Sequence, residues 1–153
     1  MKKLSILVPT DFSDVSIKAM HVAAKLAELV NGKITPLYSF EKVRYERSDT
    51  SPESAMEDLN KLAAQHIDKK YLQNAIISTL KPIDAIVDIA KDFDLIVMSS
   101  HGRTGISKLM LGSVTEKVIR LSKPPVLIVK NEETMFPMER ILVTTDFSQN
   151  AKN

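Results

Sequence analysis

The chain contains no cysteine. This absence excludes disulfide bonds, thiolate metal sites and a cysteine nucleophile. The three histidines, His21, His66 and His101, are scattered along the sequence and do not supply the ligand set of a structural zinc site. With 21 basic and 19 acidic residues the net charge is only +2, so bulk charge gives no reason to expect a nucleic-acid partner.

Long hydrophobic runs are also missing. No apolar run approaches the ~18 residues of a membrane span. Residues 1–3 resemble the start of an export signal, but the apolar stretch Leu4–Val8 is broken by Pro9 before it reaches the ~7–15 residues that such a signal needs. We therefore expect a soluble, cytoplasmic protein with no membrane partner.

Short apolar runs alternate with segments of helical spacing. A length of 153 residues fits a single domain, since domains most often run ~100–150 residues. Several runs are apolar on consecutive residues, which is typical of a parallel sheet covered on both faces. The predicted strands are Leu4–Val8, Lys33–Ser39, Ala75–Thr79, Leu95–Met98 and Val126–Val129.

Helix boundary signals lie between these runs. The resulting order β-α-β-α-β-α-β-α-β predicts an open, doubly wound α/β sheet whose ligands sit beyond the carboxyl ends of the strands. Ser13 caps the first predicted helix, which ends near Asn31 and Gly32, and Ser51 followed by Pro52 begins the second. Pro82 begins the third helix, and a Ser113–Glu116 capping box begins the fourth.

A short repeat joins the two ends of the chain. Residues 6–13 reappear as residues 141–148 with seven of eight identical, at an offset of 135. That offset equals the length of a complete five-strand unit, so two similar turns in one domain is the weaker interpretation. We expect one domain over residues 1–130, a linker over 131–138, and the first strand and turn of a second copy over 139–153.

Glycine is scarce, and its distribution is uneven. Of four glycines, Gly102, Gly105 and Gly112 fall within eleven residues after the fourth predicted strand, which indicates a close backbone approach or positive φ. The loop matches neither a Walker A nor a G-x-G-x-x-G pattern. The loop leads into a helix that begins at Ser113. The free amides and the positive end of that helix form a phosphate site, and Arg103 is placed to neutralise phosphate charge.

The same loop carries a family resemblance. The loop has a characteristic spacing of small residues: Ser99 is followed after two residues by Gly102, and Gly102 is followed after nine residues by Gly112-Ser113. This spacing resembles the ATP-binding signature of the universal stress protein family. Residues 6–13 resemble that family's first strand and turn, and residues 123–129 resemble its last strand. The likeness covers residues 3–129.

The resemblance implies a five-stranded, Rossmann-like sheet of order 3-2-1-4-5, a homodimer joined through Val126–Val129, and ATP with Mg²⁺ as the ligand. Carried over position by position, it implies that Asp11 meets the ribose or adenine, that Pro9 lines the base, and that the backbone of Ser39 meets adenine. It puts Met98, Ser99, His101 and Gly102 beside the ribose and phosphates, and Gly112, Ser113 and Val114 at the phosphates.

Three of these residues also have structural interpretations. Ser99 stands where the family signature has glycine, and its Cβ would crowd the nucleotide or remove a required backbone angle, weakening affinity without abolishing the site. Asp11 would alternatively organise the turn before the first helix. His101 has no partnered carboxylate in the sequence and would alternatively serve as a turn residue with one backbone hydrogen bond.

The leading functional interpretation is an ATP-binding regulatory module of the stress response. A slow ATPase or nucleotidyl hydrolase is the enzymatic alternative, for which Asp11 and His101 are the available participants and no clear catalytic set is present. The third interpretation is a family member that binds no nucleotide and acts through protein contacts. His21 and His66 lie in predicted helices without a partner pattern and receive no role.

Overall fold

Strands and helices alternate along the chain. The computed structural model describes residues 3–40, 51–101, 111–130, 140 and 142. The strands are β1 (Ser5–Thr10), β2 (Lys33–Ser39), β3 (Ile76–Ser78), β4 (Leu95–Ser99) and β5 (Val126–Val129). The helices are α1 (Asp14–Val30), α2 (Pro52–His66), α3 (Pro82–Ile89), with a 3₁₀ turn at Ala90–Asp92 behind it, and α4 (Ser113–Leu121).

The five strands form one parallel sheet of order β3-β2-β1-β4-β5. This order confirms the predicted fold. The chain moves outward from β1 to β3 and then crosses to β4 on the other side, so the direction of winding reverses between β1 and β4. Open α/β sheets bind ligands at such a switch point, beyond the carboxyl ends of the strands.

Consecutive strand residues point into two apolar layers, one on each face of the sheet. Ile6 and Val8 are completely buried on the face covered by α1 and α2, where they join a cluster with Ala23 and Ala63. Leu7 is also completely buried but joins the cluster formed with α3 and α4 on the opposite face. Coverage of both faces explains why the strands are continuously apolar.

Most predicted boundaries are confirmed. Ser13 caps α1, Asn31 ends it in the left-handed region at φ 52°, and Ser51 followed by Pro52 begins α2. Pro82 opens α3. β1 ends at Thr10, two residues beyond the prediction, because its pairing with β2 continues to the Thr10–Tyr38 register.

The predicted capping box at the start of α4 is wrong. The N-cap is Gly112, and no side chain of the described residues caps the helix. The backbone N–H of Glu116 donates to the carbonyl of Gly112 at 2.9 Å, so the helix begins one residue earlier than the pattern implied. Ser113 therefore lies inside the first turn, where its hydroxyl has no capping position.

Two further predictions fall mainly outside the described residues. The linker over 131–138 is not described, and of the proposed second copy only residues 140 and 142 are. Within the described ranges, no helix combines the length and apolar character needed to cross a membrane.

Candidate functional site

The turn after β1 is organised by short polar side chains. Oδ1 of Asp11 accepts hydrogen bonds from the backbone N–H of Ser13 at 3.1 Å and from its hydroxyl at 2.5 Å. Oγ of Ser13 in turn accepts from the N–H of Ser16 at 3.3 Å and so caps α1. Asp11 thus organises the turn, as the structural interpretation predicted. A carboxylate has several acceptor positions, so this bond does not exclude contact with a ligand.

Phe12 fixes the same turn through its backbone and its ring. Its φ of 63° is left-handed, a region that costs a bulky residue energy and persists only where surrounding contacts enforce it. The N–H of Phe12 donates to Oγ1 of Thr10 at 3.1 Å, and its ring packs edge-on against Tyr38 with centroids 4.7 Å apart. Strained backbone of this kind is concentrated at ligand sites.

Pro9 interrupts the sheet at the switch point. Both the N–H and the carbonyl of Ser5 bond to Asp94, which shows that Ser5 faces β4. Pro9, four residues further on, faces the same way and has no N–H to donate. Registered pairing between β1 and β4 accordingly stops at Ile6 and Leu7. The two strand ends next to the site are therefore not tied together by a ladder.

The turn after β4 is held by serine and threonine side chains. Oγ of Ser99 donates to the carbonyl of His101 at 2.8 Å, while the carbonyl of Ser99 accepts from Oγ1 of Thr115 at 3.0 Å. Oγ of Ser100 lies 2.9 Å from Nδ1 of His101. Ser99 belongs to β4 and is not among the described non-glycine residues with positive φ, so serine satisfies the backbone angle at this position.

The start of α4 lies against this turn. The N–H of Gly112 donates to the carbonyl of Ser100 at 2.8 Å. A Cβ at Gly112 would lie 3.2 Å from Cα of His101, so any larger residue would have to push this backbone back by a few tenths of an ångström. Within the described residues no side chain caps α4, so no described side chain occupies the amides of Ser113 and Val114 in its first turn.

The predicted site residues differ in what they offer. The side chain of Met98 is only 5% exposed, so this residue offers a ligand mainly its backbone, while that of Val114 is half-buried against the same α3/α4 layer. Oγ of Ser39 donates to the carbonyl of Leu80 at 2.5 Å and ties the end of β2 to the loop before α3. Gly102 and Arg103 lie outside the described residues.

The sequence analysis did not single out Ser100 or Thr115. Ser100 holds both His101 and Gly112, and the buried hydroxyl of Thr115 secures the end of β4 from within α4. A small-residue run was visible in the sequence, but the hydrogen bond from Thr115 to Ser99 spans sixteen residues and depends on the packing of α4. Among the described residues, no group of three or more histidine, aspartate or glutamate side chains gathers into a metal site.

With this geometry in view, comparison with known proteins shows which family the chain resembles. The profile of the universal stress protein family matches residues 4–130. The chain belongs to the universal stress protein family. Universal stress protein MJ0577 of Methanocaldococcus jannaschii is 31% identical over 155 residues, covering 84% of this chain and 96% of that protein.

Solved structures agree with this membership. The structure of MJ0577 superposes with a TM-score of 0.72 at 29% identity, over 84% of this chain and 96% of the other. A universal stress protein solved in complex with cAMP gives a TM-score of 0.63 at 26% identity, over 84% and 98% of the two chains. The Archaeoglobus fulgidus protein in complex with dAMP gives 0.62 at 25% identity, over the same shares.

Proposed function

We propose that this chain is an ATP-binding regulatory module of the stress response, which binds Mg·ATP at the carboxyl edge of its sheet between β1 and β4. The affinity we expect is roughly micromolar, or about −8 kcal/mol. The proposal also includes a homodimer joined through β5.

The observation that carries the proposal is the start of α4. Among residues 3–40, 51–101 and 111–130 no side chain caps its first-turn amides, and its N-cap glycine is held against the turn after β4 by the carbonyl of Ser100. The partial positive charge of a helix N-terminus stabilises a phosphate there. A Cβ at Gly112 would lie 3.2 Å from Cα of His101, a tight contact that glycine avoids, so the helix start can lie close to this turn.

The solved relatives support the choice of adenine nucleotide. One holds cAMP and another holds dAMP, and both superpose on more than four fifths of this chain. These two ligands share an adenine, a sugar and one phosphate. ATP adds two phosphates, for which the α4 amides of this chain provide donors.

The residues carried over from the family pattern have compatible positions. Asp11 and the backbone of Ser39 end neighbouring strands and are assigned to the adenosine portion. The turn over Ser99 and His101 is assigned to the ribose and phosphates. Pro9 is assigned to the base, and the backbone of Met98 is assigned to the ribose. The phosphates are assigned to Gly112, Ser113 and Val114. Gly102 and Arg103 lie outside the described residues and are assigned to the same end of the ligand. Mg²⁺ would be held through the phosphates, its usual mode in nucleotide sites.

Hydrolysis is the enzymatic alternative. His101 is the titratable side chain in the described part of the turn after β4, and the hydroxyl of Ser100 lies 2.9 Å from its Nδ1. In catalytic triads a carboxylate orients the histidine and stabilises its protonated form, and a hydroxyl does not do this to the same extent. The binding experiment should therefore include an analysis of the products after incubation with ATP, which distinguishes binding from hydrolysis.

Ser113 offers the sharpest test of the phosphate site. It is exposed at the first position of α4, where a negative charge stabilises the helix but repels phosphate. We expect Ser113→Asp to keep or raise the melting temperature while weakening ATP binding at least tenfold in calorimetry, equal to about 1.4 kcal/mol. Ser113→Asn has a similar shape without charge and serves as the matched control, with near-native affinity.

Gly112→Val is a less specific probe, because its Cβ would crowd the backbone of His101 even without ligand. Equal affinities for Ser113→Asp and Ser113→Asn would show that phosphate does not bind at α4. If ATP, cAMP and dAMP all fail to bind the unmodified chain, the nucleotide-binding proposal is wrong. The remaining interpretation is then a module that acts through protein contacts.

A further inference from the structure

Two histidines that the sequence left without a role meet on the surface. His21 lies on α1 and His66 is the last residue of α2, 45 positions later. Nε2 of His21 is 2.8 Å from Nδ1 of His66, and the ring centroids are 4.7 Å apart with an interplanar angle of 59°. His21 is exposed and His66 is half-buried, so solvent reaches the pair.

Both helices hold these side chains on a rigid scaffold. α1 has 17 residues and α2 has 15, and each is capped at its start by a serine. Both cover the same face of the sheet, where Ala23 and Ala63 are buried in one cluster. Ligands mounted on packed helices keep their separation, which favours binding because little ordering is required.

The nitrogen separation suits a metal ion as well as a shared proton. With metal–nitrogen bonds of about 2.0–2.1 Å, two neighbouring ligands at 90–109° stand roughly 2.9–3.4 Å apart. The observed 2.8 Å therefore needs to open by a few tenths of an ångström, and both rings must turn so that the two facing nitrogens point at one ion. We propose that His21 and His66 form a two-histidine surface site for a divalent transition metal ion of the Zn²⁺ or Ni²⁺ class, with water completing the coordination.

The proton balance of this binding is simple. In the neutral pair, one ring donates its N–H to the other ring. When the metal takes both facing nitrogens, that proton moves to the outer nitrogen of its own ring. Two neutral imidazoles thus become two ligands without net proton release.

The local charges set a moderate affinity. His66 lies at the carboxyl end of α2, where the helix dipole stabilises a cation. Lys18 and Lys25, three residues before and four after His21 on α1, oppose it. Among the described residues no third histidine or carboxylate completes a larger cluster. The site differs in this respect from the four-ligand structural zinc site that the sequence excludes.

Zinc titration of the tag-free, nucleotide-free chain tests the proposal. We expect one Zn²⁺ per chain in calorimetry, binding at least tenfold more weakly to His21→Gln and to His66→Gln. His101→Gln removes the third histidine of the chain and is the matched control, with native zinc affinity. Zn²⁺ should also raise the melting temperature of the unmodified chain and of the control, but not that of the two pair variants.

A measurement on the unmodified chain guards against variants that fold poorly. In ¹⁵N-histidine NMR spectra, Zn²⁺ should shift the ring nitrogens of His21 and His66 and leave those of His101 in place. No shift at millimolar Zn²⁺, or shifts confined to His101, would show that the pair is only a hydrogen bond between histidines. Equal zinc affinity in the unmodified chain and His66→Gln would overturn the proposal as well.

Discussion

Ser99 shows how one residue meets two demands. The family signature has glycine at this position, yet serine here adopts an ordinary strand conformation and is only 8% exposed. Its hydroxyl bonds to His101 and its carbonyl to Thr115, so it fastens the turn to α4. The expected loss of a backbone angle therefore does not occur, and crowding by the Cβ is the remaining route to weaker nucleotide binding.

Two substitutions separate the Cβ of Ser99 from its hydroxyl. Ser99→Gly removes both and should lower the free energy of unfolding by roughly 1–2 kcal/mol, through one hydrogen bond and the greater backbone entropy of glycine. It should also tighten ATP binding, because the crowding atom is gone. Ser99→Ala removes only the hydroxyl and should not tighten binding. Urea unfolding and calorimetry measure both effects, and tighter binding in the alanine variant would exclude the Cβ as the cause.

At the scale of elements, the helices begin in different ways. α1 has the Ser13 cap, and α2 has a reciprocal capping box between Ser51 and Ser54, with the Ser51 hydroxyl also lowering the pKa of exposed Glu53. α3 lacks a side-chain cap but begins with Pro82, which has no N–H to satisfy. α4 shows neither device in the part of the chain that the structure describes, so no described side chain occupies its first-turn amides.

The cap of α1 should be worth more than the cap of α2. Ser13 both accepts from Ser16 and donates to Asp11, which ties the cap to the turn after β1, whereas the described partners of Ser51, which are Ser54 and Glu53, lie within the first turn of α2. We expect Ser13→Ala to lower the free energy of unfolding by about 1–2 kcal/mol and Ser51→Ala by about 1 kcal/mol. Chemical denaturation compares the two variants. A larger loss for Ser51→Ala would mean that the Asp11 turn contributes little to stability.

Local patterns predicted these elements because strands, caps and prolines act over a few residues. Ser51 with Pro52, and Asn31 at the end of α1, are signals of that kind. The capping box at Ser113 failed because a Ser-x-x-Glu pattern does not reveal that the helix starts one residue earlier. The meeting of His21 with His66 depends on how two helices pack, and no local pattern encodes that distance.

At the scale of the whole molecule, β5 is an edge of the sheet. The carbonyls of Pro125 and Val129 accept from Ile96 and Ser100 of the β4 side, so these alternate residues face inward. Val126 and Ile128 therefore direct their N–H and carbonyl groups outward. Among the described residues no strand pairs with this outer edge. An apolar edge of this kind is a ready template for a second chain.

The side chains of β5 cannot be used to test that pairing. Val129 is only 3% exposed and belongs to the α1/α2 layer, and Leu127 packs against the same cluster. Lysine at Val129 would place a charge in the core, and lysine at half-buried Leu127 would disturb the packing against the same cluster, so both would destabilise the protomer itself. The backbone is a cleaner target, because the outward amides of β5 have no role in its ladder with β4.

We expect the chain to form a dimer at micromolar concentration by antiparallel pairing of β5 with β5 across a two-fold axis. Ile128→Pro removes one outward N–H from each copy and should give a folded monomer in light scattering, since proline is tolerated where its nitrogen faces away from the ladder. Ile128→Val loses side-chain volume but keeps the amide, so it should remain dimeric. Leu127→Pro removes an inward N–H and should instead destabilise the fold. A monomeric unmodified chain, or a dimer that survives Ile128→Pro, would show that assembly does not use this edge.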